Sequence, residues 1–141
     1  MEENAVIKIF GLQKVEGTTD NIEMLAAGKH YIKKNKHYIL YENIEEDSEE
    51  KTSNIIKFND EMVEIIRRGA IEGRLLLEQN AMRQSVYSTP MGDMLVEVMT
   101  EEVIVEEQEG GNVDLKVKYQ IHINGNKISD NELEIHATHH Q

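Results

Sequence analysis

Residues 113–123 alternate without a break. Val113, Leu115, Val117, Tyr119, Ile121 and Ile123 hold one set of positions, and Asp114, Lys116, Lys118, Gln120 and His122 hold the other. A period of two places one set on each face of a strand, whereas a helix would scatter both sets round its circumference. The segment therefore reads as a half-buried strand. Asn124-Gly125-Asn126 follows, residues that accept positive φ in a tight turn. Leu133, Ile135 and Ala137 then alternate with Glu132, Glu134 and His136, so the two runs predict a C-terminal hairpin.

The same grammar recurs upstream, at residues 6–12, 22–26 (ended by Gly28), 30–33, 37–44, 54–58, 62–67, 74–78, 85–87, 94–100 and 103–107. Lys34-Asn35-Lys36, Asn59-Asp60-Glu61, residues 80–83 and Gly110-Gly111 supply the turns. Segments 59–68 and 73–83 hold good helix formers, but their length and the flanking Gly69 and Gly73 favour strands. Residues 45–53 read as a polar, acidic loop. Short strands at regular spacing, roughly ten to twelve of them, predict a sandwich or a barrel. An open sheet of that size leaves edges for other chains to pair with, and closure removes them. The expected fold is all-β: one domain over residues 1–141, an antiparallel meander barrel that is closed or nearly closed.

Composition narrows the function. The 141 residues include no Cys, which excludes disulfides, thiolate metal sites and cysteine nucleophiles. Asp plus Glu number 27 against 15 Lys plus Arg, a formal charge of -12. A sequence-independent grip on nucleic acid needs a basic footprint, so no nucleic-acid partner is expected. No stretch approaches the ~20 apolar residues of a membrane-spanning helix, and Met1-Glu2-Glu3-Asn4 is unlike a signal peptide. A cytoplasmic protein without a membrane partner is expected. Its state as a monomer or homodimer stays open.

Three short signatures occur in order: Tyr41-Glu42, then Arg68-Gly69, then Tyr87-Ser88-Thr89-Pro90-Met91-Gly92. With the hairpin-rich acidic chain around them, they resemble the YwiB-like family of small bacterial domains, over residues 6–135. The resemblance implies a lipocalin-like, calycin-type barrel and a bacterial cytoplasmic origin. It implies no activity.

The residues themselves read as follows. Pro90 fixes φ near -65°, pushes Thr89 toward extended geometry, and with Gly92 makes a turn between two strands. In 62–68, Val63 and Ile65 share a face with Arg67, whereas Met62 and Ile66 share one with Glu64 and Arg68. One of the two arginines therefore lies on an apolar side. An arginine at a barrel mouth pairs with a carboxylate such as Glu42 or Glu97, or grips an anionic ligand bidentately. The polar groups expected in an otherwise apolar cavity are Tyr41, Glu42, Arg68, Tyr87 and Thr89. His136, His139 and His140 sit at the end of a strand, where nothing converges them on a metal. His30 and His37 flank a turn and read as a solvated pair. No P-loop, Gly-x-Gly-x-x-Gly, nucleophile elbow or His-Glu-x-x-His is present, so neither a cofactor, a metal nor catalysis is expected. The favoured reading is a barrel that binds a small molecule in its interior or at its mouth. The alternative is a filled barrel that meets a protein partner through an edge strand or an acidic face.

Overall fold

The computed structural model describes residues 3–44, 50–69 and 72–140, without the side chains of Ile44, Tyr87 and Thr89. Ten strands follow one another: β1 (Ala5–Val15), β2 (Thr18–Lys33), β3 (Lys36–Ile44), β4 (Lys51–Phe58), β5 (Met62–Arg68), β6 (Glu72–Glu78), β7 (Ala81–Thr89), β8 (Gly92–Glu107), β9 (Val113–Ile123) and β10 (Asn126–His139). Among the described residues one 3-10 turn is present, Glu109–Gly111, and it joins β8 to β9. Each strand pairs antiparallel with its neighbours in sequence, and β1 pairs with both β2 and β10. The sheet is thus a closed barrel of up-and-down order, as the alternation predicted.

The tight turns follow from residues that tolerate the left-handed region. Glu16-Gly17, Lys34-Asn35 and Asn124-Gly125 all carry positive φ at both positions, the requirement of a two-residue hairpin whose twist matches its strands. Pro90 and Met91 join Thr89 to Gly92, which has φ of 117° and closes the β7–β8 hairpin in the expected way. Asn59 Oδ1 accepts the backbone N–H groups of Glu61 and Met62, so a side chain shapes the β4–β5 turn.

The strands differ in length from the sequence reading. β2 runs unbroken through Gly28 instead of ending there. That glycine is needed for space: a Cβ on it would lie 2.4 Å from the Leu40 carbonyl oxygen and 2.9 Å from Ile7 Cγ1. β8 is one strand instead of two, because the register slips by one residue between Thr100 and Glu102. The bulge lets Thr100 and Val103 both turn inward although they are three apart. Of the loop read at 45–53, residues 45–49 lie outside the described residues, while Lys51 onward belongs to β4.

Strand direction divides the lumen into two halves. Phe58, Val63, Leu77 and Val113 lie where β4 and β6 end and where β5 and β9 begin, so they share one end of the barrel with Ile7. These side chains are at most 1% exposed and fill that end. Outside, β8, β9 and β10 carry a ladder of opposed charges: Lys118 lies 3.9 Å from Glu102 and 3.7 Å from Glu132, and Lys116 lies 3.7 Å from Glu134.

Candidate functional site

The other end of the lumen is open. A cavity of about 570 Å³ lies there, with Ile9, Met24, Leu75, Val96, Ile121 and Leu133 among its apolar walls. One set of polar groups enters it at a common height, for a reason set by register. Residues directly opposed in an antiparallel pair share a face. Gly28 is opposed to Tyr41, Tyr41 to Asn54, Asn54 to Arg67, and Arg67 to Gly73. The row continues along the backbone through Tyr87 to Met94. One circumferential row thus crosses seven strands, and Tyr41, Asn54, Arg67 and Met94 all line the cavity from it.

Within this row Asn54 knits the wall. Its Nδ2 donates to Asn43 Oδ1 at 2.7 Å and to the Thr52 carbonyl at 3.3 Å. Burial pushes the Tyr41 hydroxyl above its ordinary pKa, and the nearby Arg67 guanidinium pulls the other way. Tyr41 is therefore a neutral phenol at physiological pH, able to donate one hydrogen bond. Arg67 Nε is buried without a hydrogen-bond partner among the described residues. On the opposite wall Asn131 Nδ2 donates to Ser129 Oγ at 2.9 Å.

Tyr41 lines the cavity, as expected from sequence. Glu42 and Arg68 do not, and their expected place is corrected. Both are opposed to Ser53 on the outward face, and both are exposed. With Tyr41 facing in, the period of two sends Glu42 out, and with Val63 and Ile65 inside it is Arg67 that follows them. Arg68 instead joins an outer groove with Lys57, Arg67 and Arg74. The side chains of Tyr87 and Thr89 lie outside what the structure describes. Arg67 was already placed on the face of Val63 and Ile65 by the sequence, and the structure selects it over Arg68. Asn54 and Asn131 went unnoticed there, although each is in phase with an inward neighbour two residues away.

A second correction concerns the histidines. His30 and His37 do meet, but in the filled end, at 2% and 4% exposure instead of in solvent. His37 Nε2 lies 2.8 Å from Glu107 Oε1, His30 Nε2 lies 2.9 Å from His37 Nδ1, and His139 Nε2 lies 2.7 Å from His30 Nδ1. The carboxylate only accepts, so His37 donates from Nε2. His30 bonds through both ring nitrogens, Nε2 to His37 and Nδ1 to His139. The three rings and the glutamate thus form one continuous hydrogen-bonded chain across the filled end. His139 is thereby tied down instead of fraying, and its backbone N–H donates to Asn112 Oδ1. His136 points elsewhere, to Asp114 at 2.6 Å.

Comparison with known proteins bears on the fold. The crystal structure of the ywiB protein from Bacillus subtilis matches with a TM-score of 0.85 at 18% sequence identity, over 99% of this chain and 93% of that one. Among curated proteins no match is found. The DUF1934 profile, a domain of unknown function, matches residues 7–135. This chain therefore belongs to the DUF1934 family.

Proposed function

We propose that this protein is a small-molecule binder that holds its ligand in the open half of the barrel, in the manner of calycin-type carriers. The observation that carries the reading is the cavity itself, about 570 Å³ with apolar walls and a few polar groups set among them. Ligand sites typically occupy roughly 300–1,000 Å³ and combine those two features. The filled-barrel alternative describes only the other half of the lumen. A binder is favoured over a catalyst because the wall serine, Ser129, is engaged by Asn131, and no histidine lines the cavity among the described residues. A cytoplasmic site of action goes with this reading, supported by the acidic, cysteine-free composition.

Native mass spectrometry of protein purified gently from its host tests the proposal, alongside thermal shifts against fatty acids, nucleotides and small acids. The expected result is a retained mass or a stabilising compound. A ligand at ~100 times its dissociation constant adds about 2.7 kcal/mol. The absence of both a retained mass and any thermal shift would retire the reading.

A further inference from the structure

The cavity carries one lining cation among the described residues, and that cation is Arg67. Its Nε is buried and has no hydrogen-bond partner there. An arginine stays charged at any physiological pH, so it cannot escape desolvation by losing its proton. A buried guanidinium N–H without an acceptor is costly, and a ligand that supplies an acceptor removes that cost. Gly73, directly opposed to Arg67, puts no side chain over it from β6.

The surroundings specify the acceptor further. Arg67 also borders the outer groove, where Lys57, Arg68 and Arg74 gather. Two of those three cations are engaged: Arg74 pairs with Glu64, and Lys57 lies 4.0 Å from the same carboxylate. Glu72 lines the groove as well, so its four cations, Arg67 included, face two carboxylates, a local surplus of positive charge on a chain of formal charge -12. The acidic residues that line the cavity stand apart from it. Asp20 is exposed on the β1–β2 hairpin, and Glu132 lies 3.7 Å from Lys118. Ile121, Leu133, Met24 and Val96 form an aliphatic stretch of wall that offers nothing to a second charge.

Resting on the binding reading above, we infer that the ligand is an amphipathic organic anion. Its carboxylate or phosphate head sits on Arg67, with Tyr41 and Asn54 in the same row, and its apolar body lies along Ile121, Leu133 and Met24. Arg67 supplies a planar fork matched to such a head, and the aliphatic wall takes the rest.

Isothermal titration with octanoate, octyl phosphate and octanol tests this, on the wild-type chain and on Arg67→Met, Arg67→Lys and Arg68→Ala. Circular dichroism and melting confirm that each variant is folded. The expected result is that at least one of the two anions binds the wild type about tenfold or more tighter than octanol. The stronger anion shows which head the row prefers. Arg67→Met abolishes that preference while octanol binding holds, Arg67→Lys restores part of it, and Arg68→Ala keeps it. Equal binding of octanol and both anions, or an anion preference that survives Arg67→Met, overturns the inference and leaves the binding cavity standing. If none of the three probes binds, the inference fails for this class of ligand, and the retained-mass experiment decides the wider reading separately.

Discussion

His30 illustrates how far a single side chain can be moved by its setting. Burial, the neighbouring His139 and His37 and, in the opposite direction, Glu107 leave its pKa lowered from 6.5 to about 4. Charging it would bury a cation beside two other imidazoles, which explains why the neutral form is held. Between pH 6.5 and 4 the unfolded chain therefore binds a proton that the folded chain refuses. Stability rises with pH across that window and falls on acidification, by roughly 3 kcal/mol in total from this group. Melting curves from pH 7.5 to 4 check this: the wild type loses stability below pH 6.5, and His30→Asn loses distinctly less. Equal slopes would refute the assignment. The burial was legible in phase, since His30 follows Met24, Ala26 and Gly28 at steps of two, and His37 leads Ile39 and Tyr41. The lysines at 29, 33, 34 and 36 masked it, because a basic, aromatic stretch reads as a solvated hairpin. Arg67 and Arg68 pose a related difficulty. Neighbours of identical chemistry are separated only by which face is inside, and apolar Met62 and Ile66 on the outer face blur that distinction.

At the scale of strands, two places are sensitive. In Gly28→Ala the new methyl meets backbone of β3 and a core side chain of β1, neither of which swings aside cheaply. The expected loss is about 2 kcal/mol or more, read as a lower denaturation midpoint with an unchanged slope. The second place is the seam between β6 and β7, where, among the described residues, only Glu72 pairs with Ser88 and Gly73 with Tyr87. The β9–β10 ladder, by contrast, joins eleven pairs from Asn126–Ile123 to Ala137–Val113. Few ladder bonds mean low local stability. Hydrogen exchange is therefore expected to run fastest along β7 and slowest in β9 and β10, and uniform protection round the barrel would contradict this. β9 and β10 were readable from sequence because their alternation is nearly regular over a long stretch. β8 was split in the sequence reading because its bulge at Glu101 shifts the phase midway. β2 was split because a glycine inside a strand looks like a stop when its tight neighbours are unseen.

The whole molecule is a ring whose first and last strands meet, so its edges are spent within the chain and its outer face is dominated by acids. Self-repulsion at a charge of -12 opposes compactness and is screened by salt. Raising sodium chloride from 20 to 300 mM is expected to raise the melting temperature by about 2–5 °C, whereas a drop would indicate that the charged ladders outweigh the repulsion. Closure was inferable from the strand count and the need to hide edges. Which half of the lumen stays hollow was not, since it depends on where side chains from ten strands come level. That levelling has a consequence for divergence. The rung from Gly28 to Met94 draws on seven separate stretches of sequence yet sits above the plug formed around Phe58. Exchanging a handful of codons on the rung re-aims the receptacle while the plug below keeps it folded. Kindred chains are free to share one vessel and differ in its contents.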